Sequence, residues 1–189
     1  MTNYIVMDLE FNYPNTRFRS ERNGTVLHEE IIEIGAVKLD EDLVQTDTFQ
    51  AFVKPEAYHK VNRDVEELTQ ITTEMIWKGK PFPEAYQGFI TWCGEDPVLI
   101  TWSDNDIIVL EDNLAYHGLP IDDIPVCYDI QLMFDDQVTQ EDRDFALSYA
   151  MWKMEIKPAP SHDALNDAVN TAEVMRHLDL SDGLEGYEI

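Results

Sequence analysis

The first apolar segment of the chain, residues 4–11, is interrupted by two acidic residues, Asp8 and Glu10. Side chains alternate between the two faces of a β-strand, so this segment predicts a strand with both carboxylates on one face. Two carboxylates held close together repel each other unless a cation, a raised pKa or open water relieves the repulsion. The plain alternative is an exposed acidic strand end, and the pair alone does not distinguish the two.

The pattern after this strand predicts a polar loop and then a hairpin. Residues 12–28 contain Pro14 and Gly24 and lack apolar periodicity, which indicates a long loop or an irregular hairpin. Residues 30–39 are rich in β-branched side chains, and residues 46–53 alternate between apolar and polar positions. We expect these two segments to form strands that pair beside the first strand.

Short strands alternate with amphipathic helices in the remainder of the chain. The patterns predict strands over residues 97–102 and 126–128, two short helices within 59–77, and further helices over 82–93, 107–118, 128–134, 145–154 and 164–178. Five predicted strands of this order indicate an α/β fold, with a mixed five-stranded sheet flanked by helices. Functional sites in such folds gather where strands end and helices begin.

Length and composition indicate a single domain in a reducing compartment. The 189 residues are 44% hydrophobic, which suits one domain over residues 1–180 and an acidic tail, residues 181–189, that we expect to be frayed. The two cysteines, Cys93 and Cys127, match neither a disulfide framework nor a zinc site. No signal peptide or membrane-length apolar segment is recognisable, so we expect a cytoplasmic protein without a membrane partner.

The formal net charge of −25, from 38 acidic and 13 basic residues, argues against a polyanionic partner. This argument weakens if metal ions neutralise part of the acidic charge and if the few basic residues are clustered. Arg17, Arg19 and Arg22 form one such cluster directly after the first strand. Chance and solubility explain a cluster of this kind equally well.

Three further residues are candidates for joining the acidic pair. Asp106 follows a predicted strand at a helix start, although a capping box with Ser103 explains it too, and Asp104 competes for the same position. His162 precedes the last helix, and Asp167 lies within it among apolar neighbours. A buried carboxylate needs a partner, and a metal ion is one. The four tryptophans fall in apolar stretches and are predicted to serve packing: Trp77, Trp92, Trp102 and Trp152.

The order and spacing of these acidic residues and the histidine resemble the DnaQ-like 3′-5′ exonucleases of the DEDDh type, from about Tyr4 to Leu178. Residues 32–36 and 68–72 also resemble segments of that family, although Gln70 stands where a glycine is frequent. Residues 101–103 are most similar to the KapD-like and Eri-like branch, many of whose members act on RNA.

The resemblance implies a ribonuclease-H-like fold and a metal-dependent 3′-5′ exonuclease. In such an enzyme two Mg²⁺ or Mn²⁺ ions would be ligated by four acids, namely Asp8, Glu10, Asp106 and Asp167. His162 would take the proton of the attacking water, and nucleoside 5′-monophosphates would leave from the 3′ end. The implied substrate is a single-stranded nucleic acid, with RNA favoured and DNA possible, and the implied assembly is a monomer or a homodimer.

Contacts to the substrate are predicted near the first strand. The family resemblance suggests that the main chain from Leu9 to Phe11 meets the terminal sugar, while Phe11 either stacks on the terminal base or packs in the core. Our own hypothesis is that Arg17, Arg19 and Arg22 hold upstream phosphates.

A competing class is a non-catalytic protein, either a nucleic-acid binder with an idle site or an acidic mimic of nucleic acid. The complete set of four acids and one histidine counts against an idle site. The charge of −25 is the feature that favours the mimic.

Overall fold

The computed structural model describes residues 3–14, 17, 19–141 and 143–189. Within these ranges the strands are β1 (Asn3–Asn12), β2 (Ser20–Arg22), β3 (Thr25–Leu27), β4 (Glu30–Leu39), β5 (Gln45–Lys54), β6 (Lys80–Pro81), β7 (Pro97–Thr101) and β8 (Cys127–Asp129). The helices of the same ranges are α1 (Arg63–Thr69), α2 (Thr73–Trp77), α3 (Phe82–Cys93), α4 (Asn105–His117), α5 (Ile130–Phe134), α6 (Leu147–Lys153) and α7 (Ala164–Met175). Two further helical turns cover Asp135–Thr139 and Glu185–Tyr187.

The predicted mixed sheet is confirmed, but it has six strands rather than five, in the order β6-β5-β4-β1-β7-β8. Strands β1, β4 and β5 pair antiparallel, whereas β7 and β8 add parallel to β1. The sixth strand, β6, has only two residues and pairs parallel to β5. A segment that short carries no periodicity, so the sequence pattern could not reveal it.

The segment after β1 contains the hairpin β2–β3, which is separate from the main sheet. The predicted irregular segment therefore holds local strand structure. Its residues 15, 16 and 18 lie outside the described part of the chain.

Alternate residues of β1 enter two different cores on the two faces of the sheet. Ile5, Met7 and Leu9 pack with side chains of α3 and α4, whereas Val6 packs with side chains of α5, α6 and α7. The predicted alternation along this strand is therefore confirmed. Because side chains two apart share a face, Asp8 and Glu10 continue the Val6 side at the carboxyl end of the strand.

Side-chain caps fix the starts of several helices. Asn62 accepts a hydrogen bond from Asp64 N at α1, Thr72 caps α2, and Asp163 accepts from Asn166 N at α7. Gly118, with φ +69°, ends α4 in the left-handed conformation that glycine adopts without strain. Among the helices of the described residues, none has both the length and the apolar character that a membrane crossing requires.

The first turn of α7 lies directly on β4. A Cβ atom at Gly35 would lie 2.2 Å from the carbonyl carbon of Ala164 and 2.2 Å from the nitrogen of Leu165. Glycine is therefore required at this position, because any side chain would displace the helix from the sheet. This contact fixes where the start of α7 lies relative to the central strands.

The last residues of the chain differ from the frayed tail that was predicted. Leu184 is 7% exposed and packs in the core beside α7, and Tyr187 Oη donates to Asp136 Oδ2 at 3.0 Å. Glu188 forms an antiparallel bridge with Tyr128. The acidic composition suggested disorder, but the apolar residues between the acids supply enough contacts to hold the segment on the domain.

Substitution Gly35→Ala is expected to destabilise the fold by at least about 2 kcal/mol, because the new methyl group overlaps backbone atoms that cannot rotate away. Urea unfolding followed by circular dichroism measures the change. The matched control is Gly88→Ala in α3, where an added Cβ meets nothing within 4 Å and should stabilise the helix by roughly 0.5–1 kcal/mol. Equal unfolding midpoints for Gly35→Ala and the wild type would contradict the proposed close approach.

Candidate active site

Three carboxylates converge where β1 ends and α7 crosses the sheet. One oxygen from each of Asp8, Glu10 and Asp167 lies within 4.8 Å of the other two. The two strand residues point to this position because they share a face of β1, and the helix residue reaches it because α7 is pressed against β4. The structure therefore brings together three of the acids that the sequence singled out.

Asp106 joins this group from the first turn of α4. It is 6% exposed, and its Oδ1 accepts a hydrogen bond from Leu9 N at 3.0 Å, between the two acidic residues of β1. Asp104 is exposed, and its side chain makes no capping bond at the helix start. Ser103, at φ +78°, donates its N–H to Asp129 Oδ1 at 3.0 Å. The acid that faces β1 is thus Asp106, and the capping-box interpretation does not hold.

His162 lies on the exposed side of the same group. Its backbone N–H donates to Asp167 Oδ2 at 2.7 Å, and Asn170 Nδ2 donates to Asp167 Oδ1 at 3.2 Å. The backbone of His162 has φ +65°, a conformation that costs a non-glycine residue about 1–3 kcal/mol. Asp167 therefore holds the histidine in a strained position beside the acids, which is common at functional sites.

Glu33 is a fifth acid at the site, and the sequence analysis assigned it no role. It is fully buried and lies opposite Glu10 in the pairing of β1 with β4. Its Oε1 accepts from Gln50 Nε2 at 2.9 Å, and its Oε2 accepts from Ala164 N at 3.2 Å. Glu33 thus ties β5 and the start of α7 to β4. An acid in the middle of an apolar strand was the signal that could have found it.

Burial and mutual repulsion raise the pKa values of these carboxyl groups. Burial is the largest cause for Glu10, whose pKa rises to about 8, and the charges of Asp167 and Glu33 add to it. The pKa of Asp106 rises to about 7, mainly through burial, although its hydrogen bond from the main chain opposes the rise. Burial and the neighbouring carboxylates raise the pKa of Asp8 well above its ordinary range. Such a cluster favours either bound protons or bound cations.

The donor set of the cluster fits divalent metal ions. Carboxylate oxygens are the ligands that Mg²⁺ and Mn²⁺ prefer, and a cation placed between Asp8, Glu10 and Asp167 would offset their repulsion. Asp106 is close enough to raise the pKa of Asp8 by its charge, so it belongs to the same electrostatic unit. The chemistry of the donors, rather than any single spacing, supports a metal site.

Two of the residues predicted to contact substrate lie on β1. The side chain of Leu9 is 4% exposed in the core, and its N–H is already engaged by Asp106. Phe11 is partly buried against the core on the α3 and α4 side of the sheet. Most of the Phe11 side chain therefore packs in the core, which is one of the two interpretations of this residue; the other was stacking on the terminal base.

One of the three clustered arginines, Arg22, lies at the C-terminal end of α4. Arg22 pairs with Glu56 at 2.8 Å and lies 5.7 Å from the ring centroid of Tyr116. Tyr116 is ten residues beyond Asp106 on α4, which is about 15 Å along the helix. Arg17 is exposed, and the charge of Arg19 lowers the pKa of Glu29. Arg22 therefore lies beside the C-terminal end of α4, the end opposite Asp106.

A cavity of about 930 Å³ opens from the acids toward α6 and the segment that follows it. Asp8, Asp167 and His162 line one part of it, and Trp152 lines another. Trp152 is 71% exposed and lies outside the core, although its ring contacts that of Tyr149 on the same helix, whereas Trp102 is 9% exposed and packs in the core.

The sequence contained the signal for the exposure of Trp152. The residues of the α6 segment that recur at helical spacing and face the core are Leu147, Ala150, Met151 and Met154. Trp152 does not belong to this stripe, so a helical projection of the segment assigns it to the outer face.

Similar proteins identify the family to which this arrangement belongs. A sequence model of the RNase_T exonuclease family matches residues 5–175. The probable 3′-5′ exonuclease KapD of Bacillus subtilis strain 168 is 29% identical over 122 residues, which cover 61% of this chain and 55% of KapD. The chain thus spans about half the length of this relative.

Two solved structures share the fold. The nuclease domain of 3′hExo, a DEDDh family member bound to rAMP, superposes with a TM-score of 0.82 at 22% identity, over 97% of this chain and 94% of that one. The E. coli exonuclease I, in a zinc-bound complex with single-stranded DNA, superposes with a TM-score of 0.65 at 13% identity, over 93% of this chain and 40% of that one. The chain belongs to the RNase_T exonuclease family, and its fold is shared with a nuclease of the DEDDh type.

The raised pKa values predict that, without bound metal, the acidic cluster destabilises the fold more at high pH than at low pH. Because the folded-state pKa of Glu10, about 8, exceeds its ordinary 4.5, the stability linked to this group is fully present below about pH 4.5 and is lost as pH rises toward 8. Substitution Asp8→Asn removes a carboxyl group whose pKa is raised by burial and by the neighbouring carboxylates. In EDTA at pH 8 it should raise the melting temperature by about 3–6 °C, or roughly 1–2 kcal/mol. The gain should shrink toward pH 5.

The control for this measurement is Glu111→Gln, on the exposed face of α4, which should show no such pH-dependent gain. Differential scanning fluorimetry across pH 5–8 follows all three proteins. A lower melting temperature for Asp8→Asn than for the wild type at pH 8 would contradict the repulsion described here.

Proposed function

We propose that the chain is a metal-dependent 3′-5′ exonuclease that releases nucleoside 5′-monophosphates from the 3′ end of single-stranded nucleic acid. The observation that carries the proposal is the convergence of Asp8, Glu10 and Asp167 within 4.8 Å, with Asp106 beside them and His162 in the same cavity. Membership of the exonuclease family supports the same reaction.

The proposed cofactors are two Mg²⁺ or Mn²⁺ ions, held by the four acids that the sequence singled out. When bound, divalent ions supply charge stabilisation of the reacting phosphate and lower the pKa of water. The acids themselves set the number and direction of the ligands. Their raised pKa values imply that protons leave as cations enter, which makes the affinity for metal higher at higher pH.

His162 is the proposed general base. In the hydrolysis, water attacks phosphorus, the bond to the 3′ oxygen breaks, and the proton of the attacking water passes to the imidazole. Histidine is the residue that most often performs such proton transfers. The exposed position of His162 on the cavity, and the hold of Asp167 on its backbone, keep it near the entering water without burying it.

RNA is the substrate that we favour, and DNA is the alternative. The resemblance of residues 101–103 to the KapD-like and Eri-like branch and the fold shared with a nuclease domain bound to rAMP support RNA. The fold is also shared with an exonuclease bound to single-stranded DNA, which supports DNA as the alternative substrate. The two free cysteines, both buried, fit the proposed cytoplasmic location.

One observation favours a second candidate function, an acidic mimic of nucleic acid without catalysis. The net charge is −25, and a mimic needs acidic surface but no converging ligands. Calorimetric titration with Mn²⁺ separates the two candidates, since only the nuclease requires saturable binding that Asp8→Asn and Asp167→Asn both weaken.

Substitution Asp106→Asn should lower the rate of nucleotide release at least about 100-fold, because even residues that only support metal ligands cost about 10–100-fold. The measurement is the stepwise shortening of 5′-labelled single-stranded RNA and DNA with Mn²⁺. Asp104→Asn is the matched control, because Asp104 is two residues away, is exposed and points elsewhere. Equal rates for Asp106→Asn and the wild type would remove Asp106 from the site.

The arginine cluster is proposed to hold phosphates far upstream of the 3′ end, since Arg22 lies about 15 Å along α4 from the acids. Changing Arg17, Arg19 and Arg22 together to Ala should weaken binding of a 15-nucleotide strand and reduce its salt dependence. Binding of a 3-nucleotide strand should not change. Unchanged affinity and salt dependence for the long strand would exclude this role.

A further inference from the structure

The segment from α6 to residue 157 forms a wall of the cavity that holds the candidate catalytic residues, and we call this cavity the α6 groove. Its volume is about 930 Å³, and Asp8, Asp167 and His162 line it together with Trp152, Lys153 and Lys157. The groove is therefore continuous with the site where the 3′ end would be cleaved. A ligand that extends away from the acids can enter it without crossing another part of the protein.

Trp152 presents an aromatic face at this wall. Its side chain is 71% exposed, although burying an indole is strongly favourable. Its ring centroid lies 5.6 Å from that of Tyr149, which stacks at 4.5 Å on the ring of Phe145. Phe145 is 3% exposed, so the row of rings is anchored in the core. Trp152 is thus held in place while its outer face stays open.

Two lysines of the groove are available to bind anions. Lys153 and Lys157 are exposed, and within the described part of the chain neither makes an ion pair or a hydrogen bond. By contrast, Lys78 pairs with Glu74 of α2, and Lys80 of β6 pairs with Glu84 of α3. In a protein of net charge −25, two unpaired ammonium groups on one wall of a cavity require an explanation. Phosphate groups are the anions that the neighbouring site would bring.

We propose that the α6 groove binds the nucleotides next to the scissile bond on its 5′ side. Trp152 stacks on one base, and Lys153 and Lys157 contact backbone phosphates. A stacked base and nearby cations recognise a single strand without reading its sequence, because every base has an aromatic face. The inference rests on the proposed exonuclease function and assigns its substrate contacts to residues that the sequence analysis had placed in packing or had not assigned.

The groove also explains how so acidic a protein could hold a polyanion. A strand in the groove would meet two cations and an aromatic face, with Glu155 the one carboxylate among residues 152–157, while the acidic surface elsewhere would repel it. Affinity would therefore be concentrated at the 3′ end of a strand rather than along its length. This arrangement favours binding at ends over binding at internal positions.

The test measures binding and hydrolysis separately. Anisotropy of a labelled single-stranded 10-mer, measured with Ca²⁺, gives Kd for the wild type, Trp152→Ala, Trp152→Phe and the double variant Lys153→Gln with Lys157→Gln. Hydrolysis with Mn²⁺ is compared on the same 10-mer and on the p-nitrophenyl ester of thymidine 5′-monophosphate, which has no upstream nucleotide. The charge-matched control is Lys78→Gln with Lys80→Gln, near β6 at the other end of the sheet.

The proposed role of the groove predicts that its variants lose affinity only for substrates that have upstream nucleotides. Trp152→Ala should raise Kd and KM for the 10-mer roughly 5- to 100-fold, and Trp152→Phe should restore most of the affinity. The double lysine variant should reduce the slope of log K against log salt by about 1.4, for two phosphate contacts on a single strand. Hydrolysis of the ester should not change, and the control variant should behave as the wild type.

The proposed role of the groove would be overturned by a wild-type protein that does not bind the 10-mer, or by groove variants that bind it as tightly as the wild type. An equal loss on the ester and the 10-mer would also overturn it, because a general distortion of the acids would then be the cause. Absence of hydrolysis by the wild type on both substrates would instead contradict the proposed function. The binding data would still show whether the groove holds the strand.

Discussion

The contact between the first turn of α7 and β4 is the constraint on which the site depends. At Gly35 the two backbones are so close that only a hydrogen atom fits between them, and Glu33 accepts the N–H of Ala164 beside this point. Asp167 lies one turn into the helix and accepts a hydrogen bond from the backbone of His162, so this contact fixes the positions of both residues. Rigid elements rather than flexible loops therefore set the distances between the acids.

This rigidity has an electrostatic cost. Five buried or half-buried carboxyl groups come together, and the pKa values of Asp8, Glu10 and Asp106 rise because each charge is desolvated and faces the others. The fold tolerates the repulsion because the apolar cores on both faces of the sheet hold β1, α4 and α7 in place. A cation bound between these carboxylates would relieve their repulsion and would therefore stabilise the folded chain.

Local patterns were sufficient to predict the strand that carries Asp8 and Glu10 and the mixed character of the sheet. Strand alternation and helical spacing depend only on residues that are close together in the sequence. The meeting of Asp106 and Asp167 with that strand could be predicted only through resemblance, since long-range contacts leave no local pattern. The roles of Glu33 and Trp152 were missed for different reasons. Glu33 accepts a hydrogen bond from the start of α7, which is far away in the chain and leaves no local pattern. The outward position of Trp152, by contrast, could have been predicted, because Trp152 does not belong to the apolar stripe of α6.

The packed C-terminal segment has a consequence for how molecules of this protein meet. Strand β8 is the last in the sheet, and the outer side of such a strand offers unpaired backbone groups to any other chain. Here Ile189 N donates to the carbonyl of Cys127 at 3.0 Å, and Glu188 pairs with Tyr128. At the opposite end of the sheet, β6 is only two residues long. The C-terminal segment thus covers the β8 margin, and its acidic residues keep the sheet from growing on that side into a neighbouring molecule.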